Sequence, residues 1–177
     1  AVLKAEDARF FEHHGFDYEA IEKAMKYNRT HKKVKGASTI SQQTAKNVFL
    51  WPHRDWIRKG LEAYFTVLIE FIWPKERIME VYLNVIETGP GVYGVEAASQ
   101  KYFKQSAKNI SPSQASLIAA VLPNPQKFRI DRPSNYILKR QSRILSRVSP
   151  PLPKEEEKAS LLDFLDLKFD NDDDAGE

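Results

Sequence analysis

Two adjacent acids, Glu6 and Asp7, stand just ahead of Phe10-Phe11-Glu12-His13-His14-Gly15, which sets a carboxylate pair among aromatic rings. Burial and mutual repulsion push the pKa values of such neighbours apart, and that is how one of them becomes a useful general base. The same residues also suit a plainer role, as surface acids at the end of a capped helix. The two histidines have no partner at metal-ligand spacing and are not read as a zinc site.

A second group runs from Gly36 to Asn47, a glycine-containing turn leading into a helix. Thr39, Gln43 and Lys46 or Asn47 then fall at i, i+4 and i+7 or i+8 on one face, with Ile40 and Val48 on another. Such a stripe of hydroxyl and amide groups ending in a cation can hold sugar hydroxyls and a phosphate. A solvated helix face is the ordinary alternative, although paired glutamines are less expected there than Glu and Lys.

In a third group Arg54, Arg58 and Glu62 are spaced i, i+4 and i+8, and Lys59 precedes Glu62 by three residues. One helical face thus carries several cations around one carboxylate. This is either an anion site or a ladder of surface ion pairs worth only about 0.3–0.5 kcal/mol each.

The elements that position these groups are helical. Apolar spacing and breakers predict helices over 18–28, 39–50, 55–73, 75–86, 94–104, 112–122 and 135–148, with weak strand signals. Within 75–86, Ile78, Val81, Leu83 and Val85 read as core. The run 63–73 reads mainly as core, with a lipid-facing patch as the other reading. Gly89-Pro90-Gly91 supplies a turn where backbone can approach a ligand closely.

The 177 residues, 42% hydrophobic and 11% aromatic, suffice for a substantial core, and the absence of cysteine excludes disulfides and thiolate metal sites. Charge divides the chain. Residues 1–150 carry 24 Lys and Arg against 14 Asp and Glu, whereas 151–177 carry 3 against 10. We read 1–150 as one domain and 151–177 as an acidic tail, expected to be mobile. The basic body suits an anionic partner: nucleic acid, lipid headgroups or a phosphorylated substrate.

Taken in order, the segments resemble the peptidoglycan glycosyltransferases of bifunctional penicillin-binding proteins and of monofunctional membrane-anchored enzymes. Glu6-Asp7 through Phe10, His13 and Gly15 looks like one family motif, and Gly36 through Asn47 like a second. Arg58-Lys59-Gly60-Leu61-Glu62, Lys75 to Asn84 and Arg140 to Leu145 look like three more, with Met79 replacing Leu and Ile144 replacing Val. Ala37, in place of a second glycine, is closer to the monofunctional branch.

The resemblance implies a mainly α, lysozyme-like glycosyltransferase fold with a large lobe, a smaller membrane-facing lobe and a cleft between them. It implies polymerisation of lipid II into β-1,4 glycan with inversion, release of undecaprenyl diphosphate and inhibition by moenomycin. Glu6 and Glu62 are the expected catalytic carboxylates. Glu6 would be the general base, and Glu62 would orient cations or bind a divalent metal, Mg2+ or Mn2+. Asp7, Ser38, Thr39, Gln42, Gln43, Lys46, Asn47, Arg54, Arg58 and Lys59 are the expected substrate-binding residues. Asn84 and Arg140 are expected to serve structure ahead of chemistry. The expected partners are lipid II, the growing lipid-linked chain, the membrane surface and proteins of cell-wall synthesis, without nucleic acid. The expected location is the outer, periplasmic side of the bacterial cytoplasmic membrane, with an anchor helix ahead of residue 1.

Overall fold

Several helices begin where a side chain supplies a cap. The computed structural model describes residues 1–32, 34–53 and 55–148, so Arg54 and the acidic tail lie outside the described residues. After a short α1 (Val2–Glu6), α2 (Tyr18–Thr30) starts as the Asp17 carboxylate accepts the Ala20 N–H at 2.9 Å. Thr39 and Gln42 close a reciprocal capping box on α3 (Ile40–Phe49), and Asp55 takes the Arg58 N–H at 2.7 Å to open α4 (Trp56–Ile72). α5 (Lys75–Val85) follows Pro74.

A two-stranded hairpin, β1 (Glu87–Gly89) and β2 (Val92–Tyr93), leads into α6 (Val95–Phe103). Gly94 makes that junction, with φ of +82° and a Cα against which any Cβ would meet the Asn84 carbonyl oxygen at 2.7 Å. A 3-10 turn over Ala107–Asn109 precedes α7 (Pro112–Val121), which has a Ser111–Gln114 capping box and a first-turn proline; α8 (Asn135–Val148) follows.

All seven expected helices are present, with ends within two residues of those read from the sequence. The fold is mainly α, as expected. The sequence pattern missed α1, too short to show a period, and the hairpin.

Apolar side chains gather in two clusters. One joins Val92, Ala98, Ile118, Val121, Ile137 and Ile144 from β2 and α6–α8. The other joins Phe10, Ile40, Ile69, Ile78, Tyr82 and Leu122, mostly from α3–α5. Val2 of α1 packs against both, so the residues that follow it stand at the seam.

Two burial expectations change. Ile78 is fully buried, but Val81, Leu83 and Val85 are only partly so, and the second wholly buried side chain of α5 is Tyr82. The run 63–73 is not mainly core: Thr66 and Ile69 are buried, whereas Tyr64, Val67, Phe71 and Ile72 are exposed. With Trp56 and Ile57 these form an apolar face along α4, on which Ile57, Gly60, Tyr64, Val67 and Phe71 recur every three or four residues. Among the described residues, no helix is long and apolar enough to cross a membrane.

Candidate active site

Glu6 ends α1 at the seam between the two clusters, and side chains from two distant helices reach its carboxylate. Gln43 of α3 donates its amide to Oε2 at 3.3 Å, and Arg140 of α8 donates to Oε1 at 3.2 Å. The other end of the Gln43 amide accepts the Tyr82 hydroxyl of α5 at 3.1 Å. Burial pushes the Glu6 carboxyl above the ordinary glutamate value; Gln43 and Arg140 oppose that rise and the Asp7 charge adds to it. Such a carboxylate keeps more affinity for a proton than an exposed one, as a general base requires.

Asp7, adjacent in sequence, is fully engaged elsewhere. Its carboxylate lies 3.0 Å from the His13 ring nitrogen Nε2 and accepts the Ile40 N–H at 2.9 Å, so it anchors the start of α3. Thr39 donates its hydroxyl to the Gly15 carbonyl at 2.6 Å, which ties the α1–α2 loop to the same helix end. Gln42 spends its amide oxygen on the Thr39 N–H. Asp7, Thr39 and Gln42 therefore carry α3, and with it Gln43, to Glu6. Ser38 is exposed just ahead of that cap, and Lys46 and Asn47 are partly buried one turn beyond Gln43.

Beneath lies a second brace. Ser41 and Lys75 both donate to Glu70, the lysine at 2.7 Å, and Lys75 also sits 4.5 Å above the Phe10 ring. Gly15, at φ +88°, passes so close to α4 that an added Cβ would meet Thr66 Cγ2 at 2.9 Å.

The Glu62 group is built on α4 alone. Lys59 donates to one carboxylate oxygen, and Arg58 Nη1 stands 3.6 Å from the other. Glu62 and Arg58 are buried, Lys59 is half exposed, and among the described residues Arg58 Nε has no hydrogen-bond partner. Whether Arg54 joins them lies outside the described residues. The residues do not fit a metal held by protein alone, because both Glu62 oxygens already face cations and, among the described residues, no three of His, Cys, Asp and Glu gather to hold an ion.

The sequence pattern gave no role to Tyr82, His13 or Lys75 beyond their motif positions and none to Glu70, and it put Arg140 with the structure ahead of the chemistry. A motif position was the one signal for Tyr82. Arg140 also stood at a motif position, but nothing in that motif ties it to Glu6, 134 residues away.

A family of proteins described as transglycosylases matches residues 1–149. The chain belongs to the transglycosylase family. It is 80% identical over 174 residues to a biosynthetic peptidoglycan transglycosylase of Bdellovibrio bacteriovorus, covering 98% of this chain and 69% of that protein. Proteins of the same name from Bacteroides thetaiotaomicron and Haemophilus influenzae are 57% and 55% identical, covering 90% and 84% of this chain and 65% and 61% of theirs. The chain thus spans roughly two thirds of the length of these relatives. Membership in the transglycosylase family agrees with the glycosyltransferase class that the motifs implied.

Proposed function

We propose that this transglycosylase domain polymerises lipid II, with Glu6 removing the proton from the 4-hydroxyl of the incoming saccharide. That oxygen attacks the anomeric carbon of the growing chain, the bond to undecaprenyl diphosphate breaks, and inversion gives a β-1,4 link. The carrying observation is the part-buried carboxyl of Glu6 held between Gln43 and Arg140, with its proton affinity raised by desolvation. The nearest acid in sequence, Asp7, has its oxygens committed to His13 and α3, which argues against a hydrolase that uses the pair as acid and nucleophile.

A departing diphosphate needs its charge matched more than it needs a proton, and Arg58 and Lys59 supply that charge. Arg58 Nε, without a hydrogen-bond partner among the described residues, leaves donor capacity for a phosphate oxygen. Glu62 holds the two cations in place. Ser38, Gln43, Lys46 and Asn47 line the path of sugar and phosphate in this reading.

The apolar face of α4 is assigned to the outer surface of the cytoplasmic membrane, where the prenyl tails of donor and product reside. Trp56 is 91% exposed and Phe71 88%, far more than isolated surface aromatics require. Labelled lipid II should give polymer on a gel that moenomycin abolishes, and Phe71→Ser should weaken flotation with anionic vesicles while leaving the fold intact. Intact lipid II under all conditions would overturn the activity, and unchanged flotation would overturn the membrane face.

A further inference from the structure

The Gln43 amide lies between two groups that each constrain which way it points. An ionised Glu6 only accepts hydrogen bonds, so it needs the amide NH2, leaving the amide oxygen toward α5. There the Tyr82 hydroxyl donates to it at 3.1 Å. Tyr82 is completely buried, and among the described residues Gln43 is its hydrogen-bond partner. Were the amide reversed, its NH2 would point at Tyr82, whose own O–H would lose its acceptor in a dry environment. The oxygen would then face the Glu6 carboxylate.

We propose that Tyr82 is a positioning residue for the reaction: by donating to Gln43 it locks the amide in the orientation that favours ionised Glu6. The inference rests on the reading of Glu6 as the base. Burial, with the charges of Glu6 and Asp7, pushes the Tyr82 phenol far above its ordinary value, so it stays a donor at every working pH. The charged and titratable groups around Glu6 are Arg140 from α8, Asp7 beside it in the chain and Tyr82 from α5. α3 brings the neutral Gln43 amide with Lys46 one turn on, and α7 carries no charged residue.

The change Tyr82→Phe removes one oxygen and keeps the ring. It should raise the pH at which Glu6 ionises by about half a unit, the size expected for losing the benefit of one hydrogen bond. The acid limb of the polymerisation rate should move with it, while KM stays near its wild-type value. On a Gln43→Ala background, which lacks the amide to be oriented, Tyr82→Phe should shift neither quantity. Carboxyl NMR of the 13C-glutamate-labelled domain, free of substrate, reads the Glu6 titration directly. An NMR shift confined to the Gln43 background supports the inference whether or not polymer forms, so failure of the catalytic reading is seen separately. An unmoved Glu6 titration, or an equal shift with and without Gln43, overturns it. Should Tyr82→Phe fail to fold, the side-chain amide NMR signals of Gln43 in the unaltered domain supply the test: with the NH2 held toward Glu6 they move through the Glu6 titration, and signals that stay still overturn the inference.

Discussion

Glu6 and Glu62 are both acids on helices, the first part-buried and the second buried, yet their surroundings are opposite. Glu6 is reached by side chains from two helices distant in sequence and has one cation, a neutral amide and a desolvating seam around it. Glu62 draws its two cations from the preceding turn of its own helix. Burial with too little compensation keeps a carboxylate avid for a proton; burial with cations on both oxygens makes it a clamp. The difference lies in connectivity. A seam leaves a charge under-neutralised because its neighbours answer to two cores, whereas one helix turn can match charges locally.

Replacing each acid by its neutral isostere puts the contrast at greatest risk. Glu6→Gln should cost polymerisation about 10²–10⁴-fold, the usual worth of a general base. Its stability should not fall at pH 7. Because its carboxyl value is raised on folding, Glu6 binds its proton more tightly in the folded chain, so its contribution is fullest below the ordinary glutamate value and is lost as pH rises through the raised one. At neutral pH the ionised side chain is therefore a cost that Gln removes. A mutant that polymerises normally, or melts well below wild type, would break the assignment.

Glu62→Gln should behave in the reverse sense. Leaving buried Arg58 without its counter-charge should destabilise by about 3 kcal/mol, at the low end for such pairs because Lys59 is half exposed. For a chain of this size that lowers the melting temperature on the order of 10 °C. An unchanged melting curve would mean that solvent, not Glu62, balances Arg58.

Much of this contrast could be read ahead of the structure, for reasons that follow the same line. Arg58, Lys59 and Glu62 sit within one helical turn and a bit, so spacing alone united them. The Glu6 cluster joins positions 6, 43, 82 and 140, and no periodicity connects those. Motif order brought Glu6 and Gln43 into view, while Tyr82 was masked by the apolar residues around it and Arg140 by distance. Helix ends were legible because Thr39, Asp55, Ser111 and Pro112 are strong boundary residues. The burial of 63–73 was misread because hydrophobicity reports an apolar face without saying whether protein or something else covers it.

Glycines test the two regions more gently. Gly15 holds the seam, with a positive φ and Thr66 Cγ2 at 2.9 Å from any added Cβ. Gly15→Ala should therefore destabilise by about 1–3 kcal/mol through strain and overpacking, and polymerisation should drop with it as the Thr39 anchor shifts. Urea unfolding of the purified domain would measure it, and a neutral result would mean that the loop relaxes without moving α3.

Gly60 lies on the Glu62 side, between Lys59 and the turn that carries the acid, and nothing stands within 4 Å of the place its Cβ would occupy. In a helix interior, alanine there should add about 0.4–1 kcal/mol by restricting the unfolded chain and restoring helix propensity. The smallest of the expected effects, it is also the one that separates fold from surface. Gly60 is on the exposed α4 face with Tyr64 and Val67, so a methyl group there touches whatever that face meets in use. Higher urea resistance with unchanged polymerisation would show that nothing approaches that point closely. Higher resistance with slower polymerisation would place a substrate or lipid contact directly beside the cation clamp, and so join the two functions of α4 on one helix.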